Sequence, residues 1–187
     1  MNLDHNLNHF FTLEEFERIQ KEHINDRVEY SNGEILLSSN TSRRHNKIIR
    51  KLILGIGTFF DETKCEIYNE QIEVVFKNQG EIYKYKPDLF IVCDETIEDG
   101  ESITSVPKII FEVVSENYEH YDYFIKLRTY EKFGVLEYNI VNQYGNIIQY
   151  VLEGDKYVVN KSFHKDETYI SSVFNDLKIE LNNVFRD

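Results

Sequence analysis

The run "KIIFEVVS", residues 108–115, constrains the fold more than any other stretch of the chain. Ile109, Ile110 and Phe111 lead into Glu112, and Val113 and Val114 follow it. A short, unbroken apolar run of this kind predicts a buried central strand. Alternation along it puts Ile110, Glu112 and Val114 on one face, so a carboxylate points into the interior. An unpaired buried carboxylate costs on the order of several kcal/mol, or is driven up in pKa until it is neutral. The fold therefore has to supply Glu112 with a partner.

The rest of the chain places helices around such a strand. Thr12 and Glu15 form a capping-box pattern ahead of an amphipathic helix to about His23. Asn32-Gly33 sits between two strand-like runs, "RVEYS" and "EILLSS", and predicts a hairpin. Ile48, Leu52 and Ile56 recur at helical spacing, so a second helix is expected to run to about Phe60. "CEIYNEQIEVVF" reads as one long or broken strand, and "EIYKYKPDLFIVCD" as two strands joined at Pro87. "NYEHYDYFIKLRTYEKFG" is a helix closed by Gly134. Three successive strands follow, "VLEYNIVN", "NIIQYVLEG" and "KYVVNKSF", and the tail adds a short strand and a terminal turn or helix. The order predicts an α/β or α+β fold, with one central mixed sheet flanked by helices and a single domain spanning 1–187.

Composition narrows the function classes. The hydrophobic fraction of 41%, with 13 Tyr and 13 Phe, is enough for a core. The formal charge of −12 argues against a general nucleic-acid coat, so any nucleic-acid contact must come from a local basic patch. No signal segment or membrane span is read from the sequence, and Cys65 and Cys93 are expected to be reduced core thiols, which points to a cytoplasmic protein.

Asp88 follows Pro87 at the start of the apolar run "LFIVC". If its strand neighbours that of Glu112, the two carboxylates converge. They then repel unless a proton or a cation lies between them, and a hard divalent cation suits oxygen ligands. The competing explanation pairs Glu112 with Lys126 or Arg128 of the following helix. Taken one at a time, Asp88 is an ordinary strand-start residue, Glu29 a strand residue beside a turn, and Lys126 the partner of a solvated ion pair with Asp122. "RRHNKIIRK" gathers Arg43, Arg44, Lys47, Arg50 and Lys51, with His45 among them, at the start of the second helix. That face can meet phosphates or be a plain solvent face.

Together, "PDLFIV", "IIFEVVS" and "YDYFIKLRTYEKFGVLEYNIV" resemble the Uma group of restriction endonucleases, within the PD-(D/E)xK nuclease superfamily. "RVEYSNGEILLSS" and "SRRHNKIIRKL" extend the resemblance from about Arg27 to Asn142, and "VFNDLKIELNNVF" is also similar. The resemblance implies a restriction-endonuclease-like sheet and a metal-dependent endonuclease that hydrolyses DNA with Mg²⁺ or Mn²⁺. It implies that Asp88, Glu112 and the Val113 carbonyl bind the metal, with Glu29 as an extra acid, and that Lys126 takes the lysine role. The superfamily lysine position is Val114 here. Arg43, Arg44, His45 and Lys47 are the candidate nucleic-acid contacts; His45 and Asp122 match family positions of less certain role, and Ser115 matches a serine after the acidic strand. Asn139 stands where the family has Trp. Two alternatives stay open: a catalytically inactive module of the same fold that binds nucleic acid or protein, and a homodimeric structural protein in which Glu112 merely pairs with Lys126.

Overall fold

A computed structural model describes residues 10–38, 42–94, 98–99, 101–114 and 121–186. Helix α1 (Leu13–Glu22) begins at a closed capping box. The Thr12 hydroxyl accepts from Glu15 N at 3.2 Å, and Thr12 N donates back to the Glu15 carboxylate at 2.8 Å. Strands β1 (Arg27–Ser31) and β2 (Glu34–Ser38) pair across the expected hairpin. Asn32 and Gly33 both take positive φ, 45° and 104°, as a primed two-residue turn requires. Helix α2 (Arg43–Ile56) is capped by Ser42 and ends four residues before Phe60, because Gly57 leaves helical geometry at φ 54°, ψ −128°.

The strands that follow are β3 (Glu66–Asn69), β4 (Val74–Asn78), β5 (Glu81–Tyr85), β6 (Leu89–Val92), β7 (Glu98–Asp99), β8 (Ser102–Ile103) and β9 (Ile109–Val114). Helix α3 (Tyr121–Phe133) leads into β10 (Glu137–Asn142), β11 (Asn146–Glu153) and β12 (Lys156–His164), and the chain closes with β13 (Thr168–Ile170), β14 (Lys178–Glu180) and α4 (Leu181–Phe185). The expected central mixed sheet is present, together with a second six-stranded sheet. One runs β12-β11-β10-β9-β6-β3 and the other β2-β1-β5-β4-β8-β7, with a β13-β14 pair beside them. Pro87 lies between β5 of one sheet and β6 of the other, where the chain changes sheet. Strand β9 is interior, parallel to β10 and antiparallel to β6.

Both faces of the β9 sheet are covered. Leu89, Ile91, Phe111 and Val141 pack with Leu52 and Ile56 of α2 and Val184 of α4. Phe90, Ile110 and Tyr138 pack with Val74, Phe76 and Tyr85 of the second sheet and Tyr130 of α3. Each fully buried side chain of this size contributes about 1.5–3 kcal/mol. Tyr130 sits among Phe76, Tyr85 and Tyr138 at centroid distances of 5.6, 5.9 and 5.1 Å, so this aromatic of α3 is core.

The expectation of two reduced thiols is corrected: Cys65 and Cys93 form a disulfide. The antiparallel β3–β6 register pairs Glu66 with Val92, which brings the preceding and following residues, Cys65 and Cys93, opposite each other. A separation of 28 residues hid that pairing.

At the start of β10, Glu137 is fully buried. Its carboxylate accepts from Asn139 Nδ2 at 2.9 Å, Ser171 Oγ at 2.9 Å, Ser172 N at 2.6 Å, Ser172 Oγ at 2.7 Å, Val173 N at 3.3 Å and the Tyr169 hydroxyl. It ties the C-terminal hairpin region to the central sheet. Asn139, in the family's Trp position, belongs to this network and also donates to Tyr169 Oη at 3.2 Å.

Candidate functional site

The β6–β9 pairing sets Leu89 opposite Phe111, so Asp88 and Glu112 emerge at the same end of the two strands. Alternation along β1 puts Arg27 and Glu29 on one face. The β1–β5 pairing, Tyr30 opposite Lys84, brings that face to the Lys86–Asp88 segment, and Lys86 N donates to Glu29 Oε1 at 2.6 Å. Helix α3 delivers Lys126 and, one turn later, Tyr130 to the same side, and α2 delivers His45.

These elements build one buried charge cluster, with Glu29, His45, Asp88, Glu112 and Lys126 each between 2% and 7% exposed. Lys126 Nζ bridges Glu29 Oε1 at 3.0 Å and Glu112 Oε1 at 3.1 Å, and lies 5.5 Å from the Tyr85 ring centroid. Tyr130 Oη donates to Glu112 Oε1 at 2.9 Å. Asp88 Oδ2 accepts from Val113 N at 2.7 Å and meets His45 Nε2 at 2.9 Å. Arg27 reaches all three acids: Nη1 is 2.6 Å from Asp88 Oδ1, and Nη2 is 3.3 Å from Glu29 Oε1 and 3.5 Å from Glu112 Oε2. Nη2 also donates to the Lys86 carbonyl.

The acids titrate differently for identifiable reasons. Burial pushes Asp88 up, but Arg27, the His45 contact and the Val113 N–H outweigh it and hold the carboxyl well below the usual range. Burial likewise opposes ionisation of Glu29, and Arg27, Lys126 and the Lys86 N–H reverse it, so Glu29 is lowered. Glu112 goes the other way. Burial, with Asp88 and Glu29 as like-charged neighbours, raises it despite Lys126 and Arg27. Opposite shifts within one carboxylate cluster occur at functional sites and in structural ion-pair networks alike.

Burial lowers His45, but the hydrogen bond and charge of Asp88, with Glu70 adding to them, win and raise it above its ordinary value. A histidine raised in the fold contributes stability that is fully present below its unfolded pKa, about 6.5, and is lost as pH rises through the folded value. Urea unfolding should therefore show wild type losing stability as pH rises above about 6.5, and His45→Gln should reduce that slope, leaving any part due to the raised Glu112. A wild type that gains stability over this range would mean that His45 is held neutral.

The structure brings Asp88, Glu112, Val113, Lys126 and Glu29 together and makes Lys126 and Glu29 buried partners, not solvated ones. His45 is also buried, against Asp88, rather than on the basic face of α2. Arg43 and Arg44 are exposed and Lys47 half-buried on the first turns of that helix, and Arg44 Nε donates to the Gln143 carbonyl at 2.9 Å. Ser115 lies outside the described residues, and so does the side chain of Asp122. Sequence reasoning missed Arg27, whose signal was its place two residues before Glu29 on the same strand face. It missed Tyr130, one helical turn beyond Lys126, and Glu70, which has no local signal.

Two oxygen-rich donor sets share Asp88. In the first, oxygens of Asp88, Glu112 and Glu29 surround one planar cation; they are the donor type a hard divalent ion takes, but they do not all lie within 4.8 Å of one another. The main-chain N–H and C=O of a strand residue point to one edge, so the Val113 carbonyl lies on the Asp88 side with its N–H. In the second, ligand atoms of His45, Glu70 and Asp88 lie within 4.8 Å of one another, and an imidazole suits a first-row transition metal better than magnesium.

No helix among the described residues is long and apolar enough to cross a membrane. Among curated proteins, none matches the chain. The crystal structure of a putative nuclease of DUF820 from Anabaena variabilis superposes with a TM-score of 0.67 over 84% of this chain and 89% of that one. At 15% identity the likeness is one of fold, a mixed sheet architecture with flanking helices. The family model "Uma2: Putative restriction endonuclease" matches residues 13–182, a span that holds every member of the carboxylate cluster. On that match, the chain belongs to the Uma2 family.

Proposed function

We propose that this protein is a divalent-metal-dependent nuclease that hydrolyses phosphodiester bonds of DNA. The observation that carries the reading is the convergence of Asp88, Glu112 and Glu29 from three strand regions on one buried point, with Lys126 bridging two of them. Asp88, Glu112 and the Val113 carbonyl would hold Mg²⁺ or Mn²⁺, and Glu29 would complete the shell. The ion would supply Lewis-acid polarisation of the scissile phosphate and a water of lowered pKa. Lys126 carries the positive charge that Val114 cannot provide from the superfamily's strand position. Held by its two carboxylates and the Tyr85 ring, it is pre-oriented toward developing negative charge. His45 and the Val113 N–H fix the orientation of Asp88. The exposed Arg43 and Arg44, with Lys47, offer phosphate contacts at the start of α2, on a protein whose overall charge repels nucleic acid.

One observation favours a second reading. Arg27 and Lys126 already cancel most of the carboxylate charge inside the protein, as a non-catalytic module of this fold would need. Incubation with duplex DNA, single-stranded DNA and RNA, in Mn²⁺ and in EDTA, separates the two. The nuclease reading expects DNA cleavage in Mn²⁺ and none in EDTA. DNA retention in EDTA, with no Mn²⁺ uptake by calorimetry, supports the module instead. Cleavage confined to RNA would reassign the substrate.

A further inference from the structure

We propose that Arg27 is a built-in counter-ion that competes with the divalent cation for the three carboxylates, so that metal entry requires its guanidinium to leave the cluster. This deepens the metal-dependent reading above and rests on it. The two terminal nitrogens of Arg27 contact the Asp88, Glu29 and Glu112 side chains at 2.6, 3.3 and 3.5 Å, the same three acids that form the oxygen donor set. An ion shared by Asp88 and Glu112 must take oxygens that Arg27 contacts, or lie against a like charge in a buried site.

Charge balance points the same way. With protonated His45 and its neighbour Glu70 included, four carboxylates face Arg27, Lys126 and His45, which leaves one negative charge. A divalent ion added to that set makes it net positive, whereas a divalent ion replacing Arg27 makes it neutral. Buried charge is tolerated only when it is balanced, so exchange is favoured over addition.

Of the two cations, Arg27 is the one placed to move. Lys126 sits between two carboxylates against an aromatic face, with its side chain 8% exposed. The Arg27 side chain is 16% exposed, at the first residue of β1 and next to the exposed segment 23–26. Its Nε is buried without a hydrogen-bond partner. The hydrogen bonds of Arg27 come from its two terminal nitrogens, so the site holds the tip of the side chain and not its stem.

The test is Mn²⁺ calorimetry on wild type, Arg27→Gln and Arg27→Lys, with folding checked by circular dichroism. Removing the competitor should raise Mn²⁺ affinity by about tenfold, within the usual range of site-to-site coupling, and Arg27→Lys should stay near wild type. A merely structural Arg27 predicts equal or weaker binding in the folded Arg27→Gln protein. That result overturns the exchange while leaving the metal site standing. If neither wild type nor Arg27→Gln takes up Mn²⁺, the metal-dependent reading fails first and the exchange falls with it. Should Arg27→Gln not fold, the ¹⁵N guanidinium signals of the wild-type protein decide, with Arg27 assigned by its loss in Arg27→Lys. Saturation with Mg²⁺ should move the Arg27 signal to that of a solvent-exchanging arginine, and an unchanged signal at saturation overturns the proposal.

Discussion

Glu112→Gln is expected to abolish divalent-cation binding and any nuclease turnover while leaving the chain folded. The amide is isosteric, and its oxygen still accepts from Tyr130 Oη and Lys126 Nζ, which stand 2.9 and 3.1 Å from Glu112 Oε1. What it loses is the negative charge. Burial and the neighbouring Asp88 and Glu29 raise the Glu112 pKa in the fold, which means that the fold disfavours its charge. Near neutral pH the gain from removing that charge is offset by the amide NH₂ that then faces Arg27 Nη2, so the variant should stay folded with stability close to wild type. A metal ion depends on that charge, so Mn²⁺ affinity should fall by more than about a hundredfold, beyond the effect of losing an outer-shell partner. Mn²⁺ calorimetry, urea unfolding and a DNA cleavage assay on the same preparation check the three parts. Retained cleavage in a folded Glu112→Gln protein would refute the site. Asp88 offers a less clean test, because its lowered pKa marks a charge that the fold uses, through Arg27 and His45, and Asp88→Asn should lose stability along with metal.

Glu137→Gln should give the largest loss of stability. The wild-type carboxylate accepts hydrogen bonds from Asn139, Tyr169, Ser171, Ser172 and Val173. Its Oε2 alone collects Ser171 Oγ, Ser172 N, Ser172 Oγ and Val173 N. A glutamine must put an NH₂ group against one of the two sets of donors, and no water can reach a fully buried position to relieve the conflict. The cost should be about 3 kcal/mol, or a fall of about 10 °C in Tm for a chain of this size. Scanning calorimetry checks it. Mn²⁺ uptake by the folded fraction should be unchanged, because no residue of the Glu137 network donates to Asp88, Glu29 or Glu112 among the described residues. A variant with wild-type Tm would show that the donors repartner without Glu137.

Much of the architecture was legible from local chemistry. The capping box at Thr12, the Asn32-Gly33 turn, the Gly134 helix stop and the apolar run at 109–114 all depend on residues close in sequence, and each appears where its pattern puts it. The division into two sheets was not legible, because alternation tells which residues share a face and not which sheet a strand joins. The disulfide escaped for a related reason: two distant cysteines reveal nothing until the β3–β6 register sets them opposite each other.

The candidate site shows the same division. The sequence by itself determined that Glu112 lies in a buried strand and needs a partner, since one charge in an unbroken apolar run leaves no other outcome. It also placed Asp88 at the head of a second apolar strand. Only the tertiary structure decided who the partners are. Lys126 and Glu29 looked solvated in isolation and became buried because α3 and β1 close over the ends of β6 and β9. His45 turned from a basic surface stretch to Asp88, and Arg27 reached all three acids across separations of up to 85 residues. A charge's environment is the sum of everything packed around it, and packing between distant segments is the information that a local pattern does not carry.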